Sequence, residues 1–451
     1  MLGKRAAAAL ALSLAAGAAN ATSLDVTSSY KMNAEAWHNL GLDRSSPDAV
    51  NDRSFVDNDA RLGVAVRGIE LENRGGEEET LDIGLKLHAL GVAGSTVPAA
   101  APFNRAAAYY PSADLTPFIE NAYLRVHHLF GRRLSATFGR QSFRLGSGLL
   151  LDDDGAGLTG VSVSGKPWGD LGLEGFYFNS DNPNPNVSKP NSLDLFGMSL
   201  SLPTDGLWQL NQLFERDRSQ QTLDGGWQIS KALRSFTSVR YQLNYGPMVF
   251  DGEAAIEKGA ATPTGAAPAS NHITFNGNAE IIRAKWKQRL YRTGEGIARL
   301  SLARGTGDRG DTLTTDEAFF PSHGHRYDGL NRDGFGQFFG ATPYDAWGGN
   351  FSSSTVSGLR QGTSGIIIVG AGYTPPAYKG IALDIDYYLF QAERVQSGSR
   401  TLGSEWDLGL RYAVMGRFTL SASAAFFSIG AASNPARGSA KKFTFQASGR
   451  F

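Results

Sequence analysis

Arg240, Arg283, Lys285, Lys287 and Arg299 have the residue types and spacing that most directly suggest chemistry in this chain. Arg283, Lys285 and Lys287 recur at every second position, so an extended strand projects all three from one face. A file of cations along one wall gives an anionic solute successive weak sites. Guanidinium groups also match carboxylate geometry with two parallel N–H donors. Arg125 and Arg411 fall in the same phase on other alternating segments. Acids form a second set, with Asp384 and Asp386 on one segment and Glu405 and Asp407 on the next. Glu295 is the one acid expected in phase with the basic file. Asp384 and Asp386 would lie about 7 Å apart on one strand face. That spacing suits a glycosidase pair, although a charged wall explains it with fewer assumptions.

Other catalytic and metal-binding patterns are weak. Cysteine is absent, which removes disulfides, thiolate metal sites and a cysteine nucleophile together. The histidines are His38, His88, His127, His128, His272, His323 and His325. No Gly-x-Ser-x-Gly elbow accompanies them, and no serine, histidine and acid set falls on clearly adjacent segments. His127 reads as a polar residue beside Arg125. His323 and His325 give only a weak signal for a metal site, being two histidines in a loop, and Asp152 to Asp154 lack an EF-type loop and read as a solvated tip. The reading is therefore a non-enzyme without metal or cofactor.

The elements that must position these residues alternate with period two. Leu81, Ile83, Leu85 and Leu87 alternate with Asp82, Gly84, Lys86 and His88. Ile282, Ala284 and Trp286 alternate with the basic file, and Trp406, Leu408 and Leu410 alternate with Glu405, Asp407 and Gly409. Helices would group apolar residues at three and four. The pattern predicts an all-β chain of about eighteen strands. Among them are 221–232 and 234–246, joined at Leu233, with 247–276 as a loop. Connections are short after even strands and long after several odd ones (38–57, 93–115, 247–276 and 307–362). Short turns on one side and long loops on the other are the pattern of an antiparallel outer-membrane barrel. Apolar faces would then meet lipid, and the charged faces would line a lumen or form salt bridges across a plugged one. Loop 307–362 carries aromatics and acids and is long enough to fold inward and gate the pore.

Composition agrees. The 451 residues contain 43 Lys plus Arg and 43 Asp plus Glu, so bulk charge does not suggest a nucleic-acid partner. Glycine (55) and the aromatics Phe (26) and Tyr (15) are abundant, and no apolar run beyond the N-terminus approaches a spanning helix. Residues 1–21 carry Lys4 and Arg5, an alanine-rich apolar run and Ala19-Asn20-Ala21, which predicts a cleaved export signal. Residues 22–451 would form one barrel domain.

Two segments resemble the alginate-export family of outer-membrane barrels. One is Phe138-Gly139-Arg140-Gln141 followed by a Gly/Leu-rich stretch and Asp152 to Asp154. The other is the Phe319-to-Leu330 stretch, which resembles the family's Phe-Pro-x-x-His-x-Tyr-Gly loop with an extra residue before His325 and with Asp328 separating Tyr327 from Gly329; Phe320, His323, His325, Tyr327 and Asp328 are its gating candidates. The terminal alternation ending in Phe451 resembles the strand signal that such barrels present to their assembly machinery. The resemblance implies an eighteen-stranded, monomeric barrel passing an anionic uronate polysaccharide. A nutrient-uptake porin for small solutes, a plugged adhesion or assembly barrel and an outer-membrane hydrolase are the alternatives.

Overall fold

The computed structural model describes residues 23–39, 52–74, 77–94, 115–131, 133–180, 193–218, 229–263, 272–290, 294–312, 314–321, 323, 334–343, 363–414, 416–432 and 438–451. The predicted export signal, 1–21, lies outside the described residues. Eighteen long antiparallel strands form the wall. The first nine are β1 (Ser23–His38), β2 (Arg53–Arg74), β3 (Glu77–Gly94), β4 (Phe118–His127), β5 (Leu134–Gln141), β6 (Leu158–Trp168), β7 (Leu171–Ser180), β8 (Leu193–Pro203) and β9 (Leu207–Asp217). The rest are β10 (Ile229–Tyr245), β11 (Met248–Pro263), β12 (Asn278–Leu290), β13 (Gly294–Gly305), β14 (Thr363–Thr374), β15 (Ile381–Val395), β16 (Thr401–Val414), β17 (Phe418–Ile429) and β18 (Ser439–Arg450). Each pairs with its neighbours in sequence, and β18 returns to pair with β1 from Ser29↔Arg450 to His38↔Lys441. Closure leaves no strand edge, which a lipid environment requires because it offers backbone groups no alternative partner. Among the described residues no helix is long and apolar enough to cross a membrane.

The outer surface carries the apolar half of the alternation. Leu62, Leu124, Leu210, Val239, Leu300, Leu408 and Phe445 are among its exposed residues, with Trp208, Trp286 and Trp406 in the girdles. In a bilayer these side chains meet acyl tails and headgroup boundaries rather than water.

The predicted strand count is right, but one assignment inside it is not. Leu233 is no turn: it lies within β10, outward and 55% exposed. The residues read as a loop, 247–276, include all of β11. Its outward face reads Met248, Phe250, Gly252, Ala254, Ile256, Lys258 and Ala260, so small residues and a lysine interrupt the apolar alternation. With this correction the parity of the loops becomes stricter, because the turn after β10 is only residues 246–247.

The lumen has two tiers. On the long-loop side, Trp37, Phe178, Phe236, Phe390 and Phe427 point inward from the wall and are fully or almost fully buried. They cluster with Phe143, Leu149, Leu150 and Leu151 from one connection and Phe319, Phe338 and Phe339 from another. Burying each such side chain contributes about 1.5–3 kcal/mol, which holds both connections inside the barrel. On the short-turn side the inward residues are polar, with Ser199, Asn211 and Ser238 beside the charged Arg240, Arg299, Asp384 and Asp386.

Candidate lumen site and its loop constriction

The basic file survives on β12. Arg283, Lys285 and Lys287 share one face, opposite Trp286, which is 54% exposed on the outside. Lys285 stands in register with Arg299 of β13, whose side chain points inward. Arg289 continues the phase toward the turn. Arg283 lies over the Phe335 ring at 5.4 Å, a cation–π contact. Lys287 is 4.0 Å from Glu295 at a largely exposed position. Lys285 is exposed and has no ion-pair partner among the described residues.

Arg240, Arg299 and Arg411 of the predicted ladder are neutralised by acids. Arg240 lies on β10 rather than on the neighbour of β12, because β11 separates them. That strand turns Asp251, Glu253 and Glu257 inward, so Glu295 is not the one acid in phase. Arg240 donates to Asp251 from Nε at 2.8 Å and Nη2 at 2.7 Å, and to the Gly146 carbonyl at 2.7 Å. Arg299 donates to Asp386 from Nε and Nη2, and to Asp384 from Nη1 at 3.2 Å. Arg411 reaches the other Asp384 oxygen at 3.0 Å. Arg125 donates to Thr137 at 2.9 Å. The Asp384–Asp386 pair is thus held by arginines, and its spacing has an ion-pair explanation.

Several inward acids anchor the loops. Glu405 accepts the amides of Phe338 and Phe339 at 2.5 and 3.0 Å, and Asp407 accepts that of Gln337 at 2.9 Å. Glu257 accepts the Phe320 amide at 2.9 Å, while Arg234 donates to Glu257, to Glu215 and to the Phe320 carbonyl. Glu253 accepts the Ser147 amide at 2.7 Å. Loop backbone carried into a lumen must satisfy its N–H groups, and carboxylates do so with charge-assisted bonds. The two connections also meet each other, where Asp152 N donates to the His323 carbonyl at 2.6 Å.

Loop 307–362 therefore folds inward over its described segments. Phe320 and His323 of the predicted gate sit in this arrangement, and His323 is buried. His325, Tyr327 and Asp328 lie outside the described residues. The Asp152-to-Asp154 segment is no solvated tip, since Asp152 and Asp153 are 3% and 5% exposed. Asp153 accepts the amides of Phe143 and Gly157 at 3.0 and 3.1 Å. Burial pushes its carboxyl up to about 6 against the pull of those amides, and Asp152 adds to the rise. In the Phe-Gly-Arg-Gln motif, Phe138 faces lipid and Arg140 donates to the Ala156 carbonyl at 2.5 Å. Gln141 accepts a hydrogen bond from Ser162 on the inner face.

The sequence reading missed Arg234, Glu215, Glu253 and Glu257. It also missed His88, fully buried with ring nitrogens 3.0 Å from Asp59 and 3.2 Å from Glu120. The available signal for the inward loops was the apolar runs Leu149 to Leu151 and Phe338-Phe339, unusual in solvated connections.

A closed eighteen-strand barrel with an apolar exterior, short turns at one end and inward loops has the fold of an outer-membrane barrel of the porin type. Solved structures agree on the fold. OccAB1 of Acinetobacter baumannii matches with a TM-score of 0.58 at 10% identity, over 96% of this chain and 97% of its own. OccK9 (OpdG) of Pseudomonas aeruginosa matches with a TM-score of 0.58 at 12% identity, over 96% and 100%. A BenF-like porin from Pseudomonas fluorescens Pf-5 matches with a TM-score of 0.54 at 10% identity, over 96% and 100%. No family model matches the chain, and no curated protein does.

Proposed function

We propose that this barrel is a passive uptake porin for small anionic solutes, with no covalent step. The observation that carries this reading is the meeting of the two inward connections at Asp152 and His323, in the same lumen as Lys285, an exposed cation with no ion-pair partner among the described residues. Loops that meet inside the barrel restrict the cross-section, so small molecules pass more readily than a bulky chain. Lys285 and the exposed Lys287 give an anion successive weak contacts beside Arg283, which lies over the Phe335 ring, while Arg240, Arg299 and Arg411 are occupied by acids. The fold match to a BenF-like porin fits a channel role.

Passage of an anionic, alginate-like polysaccharide is the second reading, favoured by the Phe-Gly-Arg-Gln and Phe-Pro-x-x-His resemblances. Planar-bilayer recording separates them. The small-anion reading expects anion-selective reversal potentials in a salt gradient and swelling of loaded liposomes in small carboxylates. K285Q/K287Q should reduce the selectivity. Block by oligouronate at concentrations that leave small carboxylates unaffected would favour the polysaccharide. Cation selectivity in the unsubstituted barrel would overturn both.

A further inference from the structure

The outer wall carries a charged site that solute passage does not use. Tyr177, Phe196 and Phe214 form one row across β7, β8 and β9, each directly paired and 40–47% exposed. Phe196 and Phe214 stack at 5.4 Å. Such a row of exposed aromatics marks the headgroup boundary of the membrane. The next outward row toward the long loops is Asn179, Asp194 and Arg216, in register with one another. It lies about 7 Å further out, at headgroup level.

Asp194 is 2% exposed and saturated. One oxygen accepts from Tyr177 at 2.8 Å and Asn179 at 3.0 Å. The other accepts from Arg216 Nε and Nη2 at 2.8 and 2.6 Å and from Arg218 Nη2 at 3.2 Å. Two guanidinium groups therefore share one carboxylate. Their side chains are 47% and 54% exposed, and Asp194 uses only a minority of their N–H donors. Lys231, exposed and in the outward phase of β10, adds a third cation just beyond the Asp217–Ala232 pair. The far side of the barrel differs: Arg304 and Arg394 there are matched by Glu280 and Glu393.

We propose that Arg216 and Arg218, pre-oriented by Asp194, bind a phosphate of a phosphorylated glycolipid headgroup in the external leaflet. The aromatic row beneath them would contact the upper acyl chains. Arginine pairs are suited to this ligand because the planar fork donates two parallel hydrogen bonds to phosphate. The excess charge sits beyond the apolar band, where a phosphate and not an acyl tail is available.

The test uses the refolded barrel in non-ionic detergent, titrated with diphosphoryl lipid A or its dephosphorylated form and read by native mass spectrometry. The phosphorylated lipid should bind at least about tenfold more tightly, as two charge-assisted contacts would give. R216Q/R218Q should lose that difference, R216K/R218K should retain part of it, and R304Q should leave it unchanged. Heat-modifiable gel mobility establishes that each variant is folded. Equal binding of the two lipids, or undiminished preference in R216Q/R218Q, would overturn the proposal. An equal loss in R304Q would overturn it too, as non-specific surface charge.

Discussion

Arg299 and Asp386 join through hydrogen bonds of 3.1 and 3.0 Å although a whole strand lies between them. Gly372 of β14 occupies the shared row, paired with Arg299 on one side and Asp386 on the other. Strands two apart are separated by about 9.6 Å, so the side chains meet only by crossing above a position with no side chain of its own. A Cβ at 372 would lie 1.8 Å from Asp386 Oδ1 and 3.0 Å from Arg299 Nε. The glycine thus decides whether this arginine is a charge in the lumen or part of the wall.

G372A should break this pair. The expected cost is about 1–3 kcal/mol, the usual penalty for inserting an atom into a filled site, measured by urea unfolding of the refolded barrel. Arg299 and Asp386 would both face the aqueous lumen more freely. Near-equal numbers of released charges predict little change in reversal potential but a stronger dependence of conductance on salt.

The sequence made the exterior legible, because Leu, Val, Ile and Trp at every second position have one place to go in a membrane. The interior was less legible because each inward charge can face water or a partner two strands away, and alternation does not distinguish the two. Arg240 illustrates this. Its phase was correctly read, but its partner Asp251 lies on β11, whose Ala- and Gly-rich outward face left little alternation to recognise. The two errors around Leu233 cancelled in the strand count, so the total was right for a partly wrong reason. The inward loops were hidden for another reason. Tyr177 is flanked by the buried inward residues Phe176 and Phe178, and such apolar stretches make sense only once a loop covers them from within.

The carboxylates of β16 hold the inner loop by its backbone, so their removal should loosen it without removing charge from the solute path. E405Q/D407N keeps similar volumes and replaces charge-assisted acceptors of the 337–339 amides with neutral ones. Hydrogen bonds to charged groups contribute about 1.5–3 kcal/mol each, and part of that would be lost. Single-channel recordings should show larger and noisier current, and limited proteolysis should cut within 334–343. Unaltered current and protection would mean that Phe338 and Phe339, packed against Trp37 and Phe427, hold the loop unaided.

Asp153 gives the other connection a pH dependence. Burial raises its carboxyl from the ordinary 3.8 to about 6 in the closed arrangement. A carboxyl raised by folding contributes stability that is full below the unfolded value and lost as pH rises through the folded one. The loop should therefore be held most firmly near pH 4 and loosen between about pH 4 and pH 7. Conductance noise should increase over that interval, and D153N should flatten the response. A D153N channel with the same pH profile would assign the effect to another group, with Asp152 and Glu120 the nearest candidates.

Phe451 separates two roles that a residue at the barrel seam can play. Its backbone closes the seam, exchanging hydrogen bonds of 2.8 Å with Ser28 in both directions, while its ring packs edge-on against Phe418 at 5.3 Å. F451A retains the backbone bonds and loses the ring, which is 54% exposed on the lipid side. An exposed ring contributes little to an already closed barrel, so refolding into detergent should be almost unchanged, within about 1 kcal/mol. If the ring is instead the feature that cellular assembly machinery recognises, F451A should reach the outer membrane in much lower amount than the unsubstituted chain. Quantifying heat-modifiable barrel in membrane fractions, beside the in vitro refolding yield, distinguishes the cases. Equal loss in both would make Phe451 a stability residue, and equal retention in both would remove it from assembly altogether.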